Sequence, residues 1–381
     1  MKSEVVTPSE PTLQGNSEEE EQIQDLDEAA EVIESPYSIT AYGADYPVDS
    51  LVKRIETGDI IVPKFSWTAP EKTEIVGFQR EYVWLRPKAD RFIESLLLGL
   101  PVPGIFLVKE KSGLLLVLDG HQRLFTLQSF YSGVINDEVY KLSDSVQKRF
   151  VNKRYKDLDI EDRRRLDDSI IHATVIRQDE PTEDQSSIYT IFERLNTGGM
   201  NLQPQEIRVA LYHGELVRVL QELNNDIAWR SLVGPKSKRL KDMEMILRFF
   251  AFLYFSKKYE APMKIFLNRY MATNRELTVQ SEKSLKEIFA LTTQTILDGI
   301  GVKAFRPKRP VNAAVVDSLM TGLAKRLIVH KPLTDIGSLK AQYETLIADS
   351  VYLDATETGT SQPANITTRL TKAELAFSQV Q

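Results

Sequence analysis

Four polar side chains and one glycine follow one another in the stretch VLDGHQRLFTL at residues 117–127. The apolar residues before Asp119 predict a strand, and the apolar spacing after it predicts a helix that begins at or just after Arg123. In such a turn, backbone N–H groups and the positive end of the helix dipole point towards one place. The turn therefore predicts an anion site.

Four residues of this turn have properties that suit a bound triphosphate. Gly120 lacks a Cβ, so a phosphate oxygen could approach its backbone. Arg123 could hold a phosphate with two hydrogen bonds, and Asp119 could bind a Mg²⁺ ion that bridges the phosphates. Gln122 could orient a water molecule or bind a base edge. The alternative is a capped turn, in which Asp119 caps the helix and Arg123 pairs with an acid.

Missing motifs exclude several classes of site. The chain has no G-x-x-x-x-G-K-[ST] stretch, which excludes a P-loop NTPase. It has no cysteine, so disulfides, thiolate metal sites and cysteine nucleophiles are excluded. The four histidines, His121, His172, His213 and His330, are not paired at the spacing of a zinc site. His172 lies inside a strand pattern, which favours a structural role.

The net charge of -6 is unevenly distributed. Residues 1–45 contain twelve acids and one lysine, so the 48 basic and 54 acidic residues of the chain leave 47 and 42 in 46–381, a net charge of +5. Such an acidic segment is typical of a disordered, solubilising tail. The alternative is a DNA mimic that shields a basic surface.

The N-terminus has neither the basic start nor the apolar core of a signal peptide. The longest apolar runs, SLLLGLPVPGIFLV and MILRFFAFLYF, are shorter than the roughly 20 residues that cross a bilayer. We therefore expect a soluble cytoplasmic protein with no membrane partner.

Periodicity predicts an α+β fold. YPVDSLVKRIETGDIIVP predicts a helix and then a strand, another helix opens at Pro87, and GIFLVKE with LLLVLD predicts a hairpin. IIHATVIRQ is the last clear strand, and helical periods follow Thr182, whose spacing from Gln185 is that of a capping box. The predicted organisation is a disordered acidic tail (1–45), an α+β domain (46–210), an all-helical domain (211–350), and a linker with a terminal helix (351–381).

Three motifs in a fixed order, FQREYVW, LDGHQRLFTL and FERLNTGGMNLQPQEIR, resemble the family typified by the GmrS-like N-terminal half of GmrSD modification-dependent restriction enzymes. That family carries a D-G-Q-Q-R signature. The resemblance covers roughly residues 48–215. It extends weakly into the helical part through LKDMEMILRFFAFLY, RPVNAAVVDSLMTGL and TTRLTKAEL.

The resemblance implies a ParB/sulfiredoxin-like core that binds and hydrolyses a nucleotide, coupled to recognition of modified DNA in anti-phage defence. It implies a nucleoside triphosphate (GTP, ATP or another) and Mg²⁺ as cofactors. Carried over by position, the implied residues are Asp119, Gln122 and Arg123 for catalysis, Gln79, Arg80, Gly120, His121 and Asn196 for nucleotide binding, and Asp119 for the metal.

The sequence departs from the family at His121, where a glutamine is usual. Imidazole can keep part of the hydrogen bonding, but its reference pKa of about 6.5 adds a titration. We expect His121→Gln to leave turnover within a few-fold and to flatten its pH profile below neutrality.

A second departure concerns the nuclease. Longer relatives carry an HNH-type nuclease domain, whereas His213 and His330, the histidines after His172, form no such motif. We therefore expect a sensor or regulatory NTPase that does not nick plasmid DNA and works with a separate nuclease subunit. The alternative is a non-enzymatic, ParB-like protein that holds nucleotide or DNA. The sequence is also compatible with a homo-oligomer.

Several residues carry a simpler alternative. Tyr82 and Trp84 are predicted as core anchors rather than base-stacking platforms, and Asn196 as a positioner or a helix cap. Glu206 and Arg208 are predicted to form a helix-surface or inter-helix pair. The basic stretches GPKSKRLK, FRPKRP and KRFVNKRYK could contact DNA phosphates, although such runs are usually solvated faces.

Overall fold

The computed structural model describes residues 38–62, 84–180, 185–195, 203–237, 239–308, 310–329, 333, 335–378 and 380. Their fold is mixed α+β, with a small sheet near the N-terminus followed by many helices, as predicted. The strands are β1 (Ser38–Pro47), β2 (Ile60–Ile61), β3 (Ile105–Lys109), β4 (Leu115–Asp119), β5 (Val134–Ile135), β6 (Glu138–Val139) and β7 (Ile170–Glu180).

The helices of the first half are α1 (Val48–Glu56), α2 (Arg86–Leu97), α3 (His121–Ser132), α4 (Ile160–Asp167), α5 (Ser186–Leu195), α6 (Pro204–Leu211) and α7 (Glu215–Leu223). Those of the second half are α8 (Ile227–Val233), α9 (Lys241–Phe255), α10 (Met263–Asn274), α11 (Glu282–Gly299), α12 (Ala313–Val329), α13 (Ile336–Ala348), α14 (Ser350–Glu357) and α15 (Pro363–Ser378).

The main sheet has the strand order β1-β7-β3-β4-β2. The predicted hairpin is confirmed, because β3 and β4 pair antiparallel. β1 pairs antiparallel with β7, whereas β3 runs parallel to β7 and β2 runs parallel to β4. Alternate residues of β3, β4 and β7 face one buried core, and α1, α2 and α3 contribute to the same core. The helix predicted to open at Pro87 buries one stripe of side chains, Phe92, Ile93, Leu96 and Leu97.

Strand β1 corrects the prediction that residues 1–45 form a disordered tail, because Ser38–Pro47 is paired along β7. Residues 1–37 lie outside the described residues. β1 is an edge strand with mostly exposed side chains, so its sequence shows no buried alternate face. Backbone hydrogen bonds to β7 hold it in the sheet, and a distant partner of that kind leaves no local signal.

The described residues fall in two compact units. The sheet unit contains the residues up to Glu222 together with Phe255–Lys286, and the helical unit contains Leu223–Tyr254 together with the residues from Glu287 onward. The sheet unit thus includes α6, α7 and α10 as well as the sheet. α14 occupies the start of the segment predicted as a linker. No helix in the described ranges is long and apolar enough to cross a membrane.

A buried ionic network ties three helices of the helical unit together. Arg248 of α9 donates to both oxygens of Asp317 of α12, at 3.0 and 2.7 Å. Arg369 of α15 donates to the same carboxylate at 3.1 Å. The Asp317 and Arg369 side chains have no solvent-exposed surface. Each of the three segments that weakly extend the family resemblance supplies one member of this network.

Candidate functional site

The turn between β4 and α3 has the predicted strand-to-helix form. β4 ends at Asp119, Gly120 follows, and α3 begins at His121, two residues earlier than the earliest predicted start. The Leu124 N–H donates to the Gly120 carbonyl at 2.9 Å, which closes the first turn of the helix. The N–H groups of a first helical turn lack acceptors within the helix, so they are available to a ligand or a cap.

Gly120 is required by the fold itself. Its φ of 104° lies in the left-handed region that favours glycine. A Cβ at this position would also lie 2.4 Å from Cγ2 of Ile105, far inside van der Waals contact. The close approach at Gly120 is therefore to strand β3, and an approach by phosphate stays a prediction.

Arg123 and Asp119 form an ion pair across the turn. The Arg123 Nη2 donates to Asp119 Oδ2 at 2.6 Å and to the Gly104 carbonyl at 3.0 Å. Asp119 makes no side-chain cap to α3, so only the pairing half of the capped-turn alternative is present. The pair is incomplete: the Asp119 side chain is 52% exposed, and the buried Arg123 Nε has no hydrogen-bond partner in the described structure.

His121 is a half-buried residue whose two ring nitrogens are both buried and have no hydrogen-bond partner in the described part of the chain. Its ring lies against Phe125, with 6.2 Å between the ring centroids. Burial lowers the pKa of His121 from 6.5 to about 4. The ring is therefore uncharged at neutral pH, and the titration expected just below neutrality moves to about pH 4.

Gln122 connects α3 to the first motif. Its Oε1 accepts a hydrogen bond from the Trp84 backbone N–H at 3.3 Å. The Trp84 ring packs edge to face on Phe92 at 5.5 Å and contacts the core, which confirms its prediction as an anchor. The other predicted residues of the first motif, Gln79, Arg80 and Tyr82, lie outside the described residues.

The third motif fixes α6 to α10. Glu206 and Arg208 are 2% and 0% exposed, so the predicted surface pairing is wrong. The Arg208 Nε donates to Asn268 Oδ1 of α10 at 3.1 Å, and its Nη1 donates to Gln205 Oε1 at 3.3 Å. Arg208 thus makes an inter-helix contact with Asn268 as its partner. The predicted Asn196 lies outside the described residues.

His172 lies in strand β7, as its strand pattern predicted. Its side chain is 74% exposed, and its Nδ1 lies 2.5 Å from Oδ1 of Asp45 on β1. Asp45 belongs to the segment predicted as a tail, so this pair was missed. The alternation in IIHATVI could have indicated this exposure, because it places His172 on the face of the strand opposite to that of the buried Ile171 and Ala173.

The predicted DNA-contacting clusters use part of their charge internally. Arg154 pairs with Asp157 at 2.6 Å, and Lys308 pairs with Glu357 at 2.6 Å. Arg306 donates to the last carbonyls of α8, including that of Val233 at 2.9 Å. A DNA contact by any of these clusters stays a prediction.

Residues 48–213 match the family model of the GmrSD restriction endonuclease N-terminal domain. The chain contains a GmrSD-type domain. This match confirms the family predicted from the three motifs, and it spans α1 to α6 with the whole β4–α3 turn. Comparison with curated proteins and with solved structures gave no significant match. The GmrSD-type domain indicates a module of a restriction system and implies an interaction with DNA.

The turn of the GmrSD-type domain has the groups that a nucleotide and Mg²⁺ need. Buried polar atoms without a partner call for an explanation, and the ring nitrogens of His121 and the Nε of Arg123 are three of them. Asp119 offers an exposed carboxylate oxygen. Within the described ranges no group of three or more His, Asp or Glu residues could hold a metal ion. Mg²⁺ at Asp119 would therefore take its other ligands from phosphates and water, as it commonly does.

Proposed function

We propose that the chain is a nucleotide-binding and nucleotide-hydrolysing sensor or regulatory module of a modification-dependent DNA restriction system. A separate nuclease subunit would cut the DNA. The observation that carries this proposal is the incomplete Arg123–Asp119 pair at the start of α3, within the motif order of a GmrSD-type domain.

The residues of the turn would divide the work of hydrolysis. Arg123 has an unused donor at Nε, so a phosphate can compete with Asp119 for the guanidinium and receive two hydrogen bonds. Release of Asp119 would free its carboxylate for Mg²⁺, which when bound supplies charge neutralisation at the phosphates. Gln122, held by the Trp84 backbone, would position the reactants, and uncharged His121 would contribute one donor and one acceptor. Positioning and electrostatics of this kind account for most of catalysis in phosphoryl transfer.

Phosphate release from each nucleoside triphosphate, with and without modified DNA, tests the proposal. We expect Asp119→Ala and Arg123→Ala to abolish turnover while helix content stays unchanged, because both variants keep the buried apolar side chains that hold α3. Arg177→Ala is the matched control, since it breaks an exposed Arg–Asp pair in the same unit away from the turn. The proposal fails if both turn variants hydrolyse at the wild-type rate.

One observation favours the ParB-like alternative, a protein that binds nucleotide without turning it over. His121 stands where the family has glutamine and is uncharged and buried, so it is a poor proton carrier at neutral pH. Calorimetric binding of a nucleoside triphosphate that depends on Arg123, combined with no release of phosphate under any condition, would support this alternative over hydrolysis.

A further inference from the structure

Asp45 and His172 form a dyad at the end of the sheet that carries the β4–α3 turn. They are directly paired residues of the antiparallel strands β1 and β7. The His172 Nδ1 lies 2.5 Å from Asp45 Oδ1, and the two side chains are 74% and 63% exposed. The dyad is therefore formed, oriented and open to solvent.

The pairing of the strands places this dyad on the same face of the sheet as Asp119. Asp119 is paired with Phe106 of β3, after a register shift, and Phe106 is paired with Thr174 of β7. Directly paired residues share a face, and so do alternate residues of one strand. His172, two residues from Thr174, thus lies on the Asp119 face and towards the same end.

Gly104 contacts both the Arg123–Asp119 pair and the dyad. Its carbonyl accepts the hydrogen bond from Arg123 Nη2 at 3.0 Å. A Cβ on Gly104 would lie 2.7 Å from the His172 carbonyl oxygen and 3.6 Å from the His172 Cβ, so these two residues are in close contact. Strands β4 and β7 are separated by one strand, which is about 10 Å. A phosphate group and a water molecule bound above β3 would bridge a distance of that size.

The dyad has the chemistry of a proton acceptor. A carboxylate only accepts hydrogen bonds, so the His172 Nδ1 must carry the proton that it shares with Asp45. In that tautomer the lone pair is on Nε2, on the side of the ring away from Asp45. A histidine oriented by a carboxylate in this way is a frequent general base.

We propose that His172, oriented by Asp45, accepts the proton of the attacking water when a nucleoside triphosphate is hydrolysed at the Arg123–Asp119 site. This inference rests on the proposed function. The water oxygen forms a bond to the γ-phosphorus while its proton passes to His172 Nε2. The bond from the γ-phosphorus to the β–γ bridging oxygen breaks, and its electrons stay on the diphosphate. The products are a nucleoside diphosphate and inorganic phosphate.

Steady-state kinetics of His172→Gln and Asp45→Asn test the inference. We expect His172→Gln to lower kcat about 100-fold with little change in KM, because general-base catalysis contributes at least that much. Asp45→Asn should cause a smaller loss, since the imidazole remains but loses its orienting acceptor.

Asp179→Asn is the matched structural control. Thr40 donates to Asp179 Oδ2 at 2.6 Å, which makes a second exposed cross-strand contact between β1 and β7, far along the strands from His172. We expect this variant to keep kcat within about twofold, whatever its effect on the melting temperature. Chemical rescue distinguishes a proton acceptor from a residue with a purely structural role. Because the site is exposed, added imidazole should restore part of the kcat of His172→Ala.

The outcomes separate this inference from the proposed function. If the wild type hydrolyses a nucleotide and His172→Gln retains kcat within about threefold, the inference is overturned and the proposed function stands. If imidazole does not rescue His172→Ala, the proton-acceptor role is likewise overturned. If the wild type releases no phosphate from any nucleoside triphosphate, both fall together.

Discussion

The protein contains two arginine–aspartate arrangements that differ in how deeply the aspartate is buried. In the helical unit, Asp317 is fully buried and accepts hydrogen bonds from both Arg248 and Arg369. In the sheet unit, Asp119 accepts one hydrogen bond from Arg123 and is half exposed, and the Arg123 Nε has no partner in the described structure. The same pair of residue types thus stabilises a core in one unit and leaves binding capacity at a surface in the other.

The difference follows from solvation. A carboxylate buried without water must be paired, because an uncompensated charge in the interior is strongly destabilising. A half-exposed carboxylate is stabilised by water, so its ion pair adds little and can be exchanged for a ligand. The comparison therefore predicts that substitutions in the two arrangements have opposite consequences for folding and for binding.

The largest expected effect is on stability in the helical unit. Asp317→Ala leaves two buried arginines without their shared anion, so we expect a loss of about 3–5 kcal/mol in the free energy of unfolding. Urea denaturation followed by circular dichroism measures it. Asp119→Ala is the control and should cost less than about 1 kcal/mol. Equal losses in the two variants would contradict the comparison.

The next effect concerns pH. Burial lowers the pKa of His121 from 6.5 to about 4, so the unfolded chain takes up a proton at a higher pH than the folded chain does. Stability from this residue is complete above about pH 6.5 and is lost as the pH falls to about 4, by on the order of 2–3 kcal/mol.

His121→Gln removes this titration. Its unfolding free energy should therefore fall less than that of the wild type between pH 6.5 and 4, as measured by denaturation at a series of pH values. Parallel curves for the two proteins would show that His121 is not buried in its neutral form.

The smallest expected effect distinguishes the role of Arg123 in binding from that of Arg248 in stability. Arg123→Lys removes the planar guanidinium that suits a phosphate, so we expect nucleotide affinity to fall about tenfold with little change in stability. Arg248→Lys should do the reverse, because it loses one of the two hydrogen bonds to Asp317 and lies in the helical unit. Calorimetric titration and urea denaturation of both variants provide the measurement. A loss of affinity in Arg248→Lys equal to that in Arg123→Lys would contradict the division of roles.

Much of the β4–α3 turn could be predicted because its signals are local. An apolar strand, a glycine and a helical period lie within the eleven residues of VLDGHQRLFTL, and the structure has the strand, the turn and the helix in that order. The ion pair of Arg123 with a nearby acid was also foreseeable as an alternative, since Asp119 and Arg123 are four residues apart. The motif order was sufficient to predict the family that the match confirms.

What could not be predicted depends on partners far along the chain. β1 becomes a strand through pairing with β7, and Asp45 meets His172 across 127 residues. Arg208 is buried because Asn268, 60 residues later, accepts its hydrogen bond.

The sequence by itself determined the hairpin, the strand-to-helix turn and the family, because short-range periodicity and turn chemistry are written in neighbouring residues. Only the tertiary structure decided which charges are buried and which meet at one end of the sheet. Burial and long-range pairing are properties of the packed chain. They distinguish the buried Asp317 from the half-exposed Asp119.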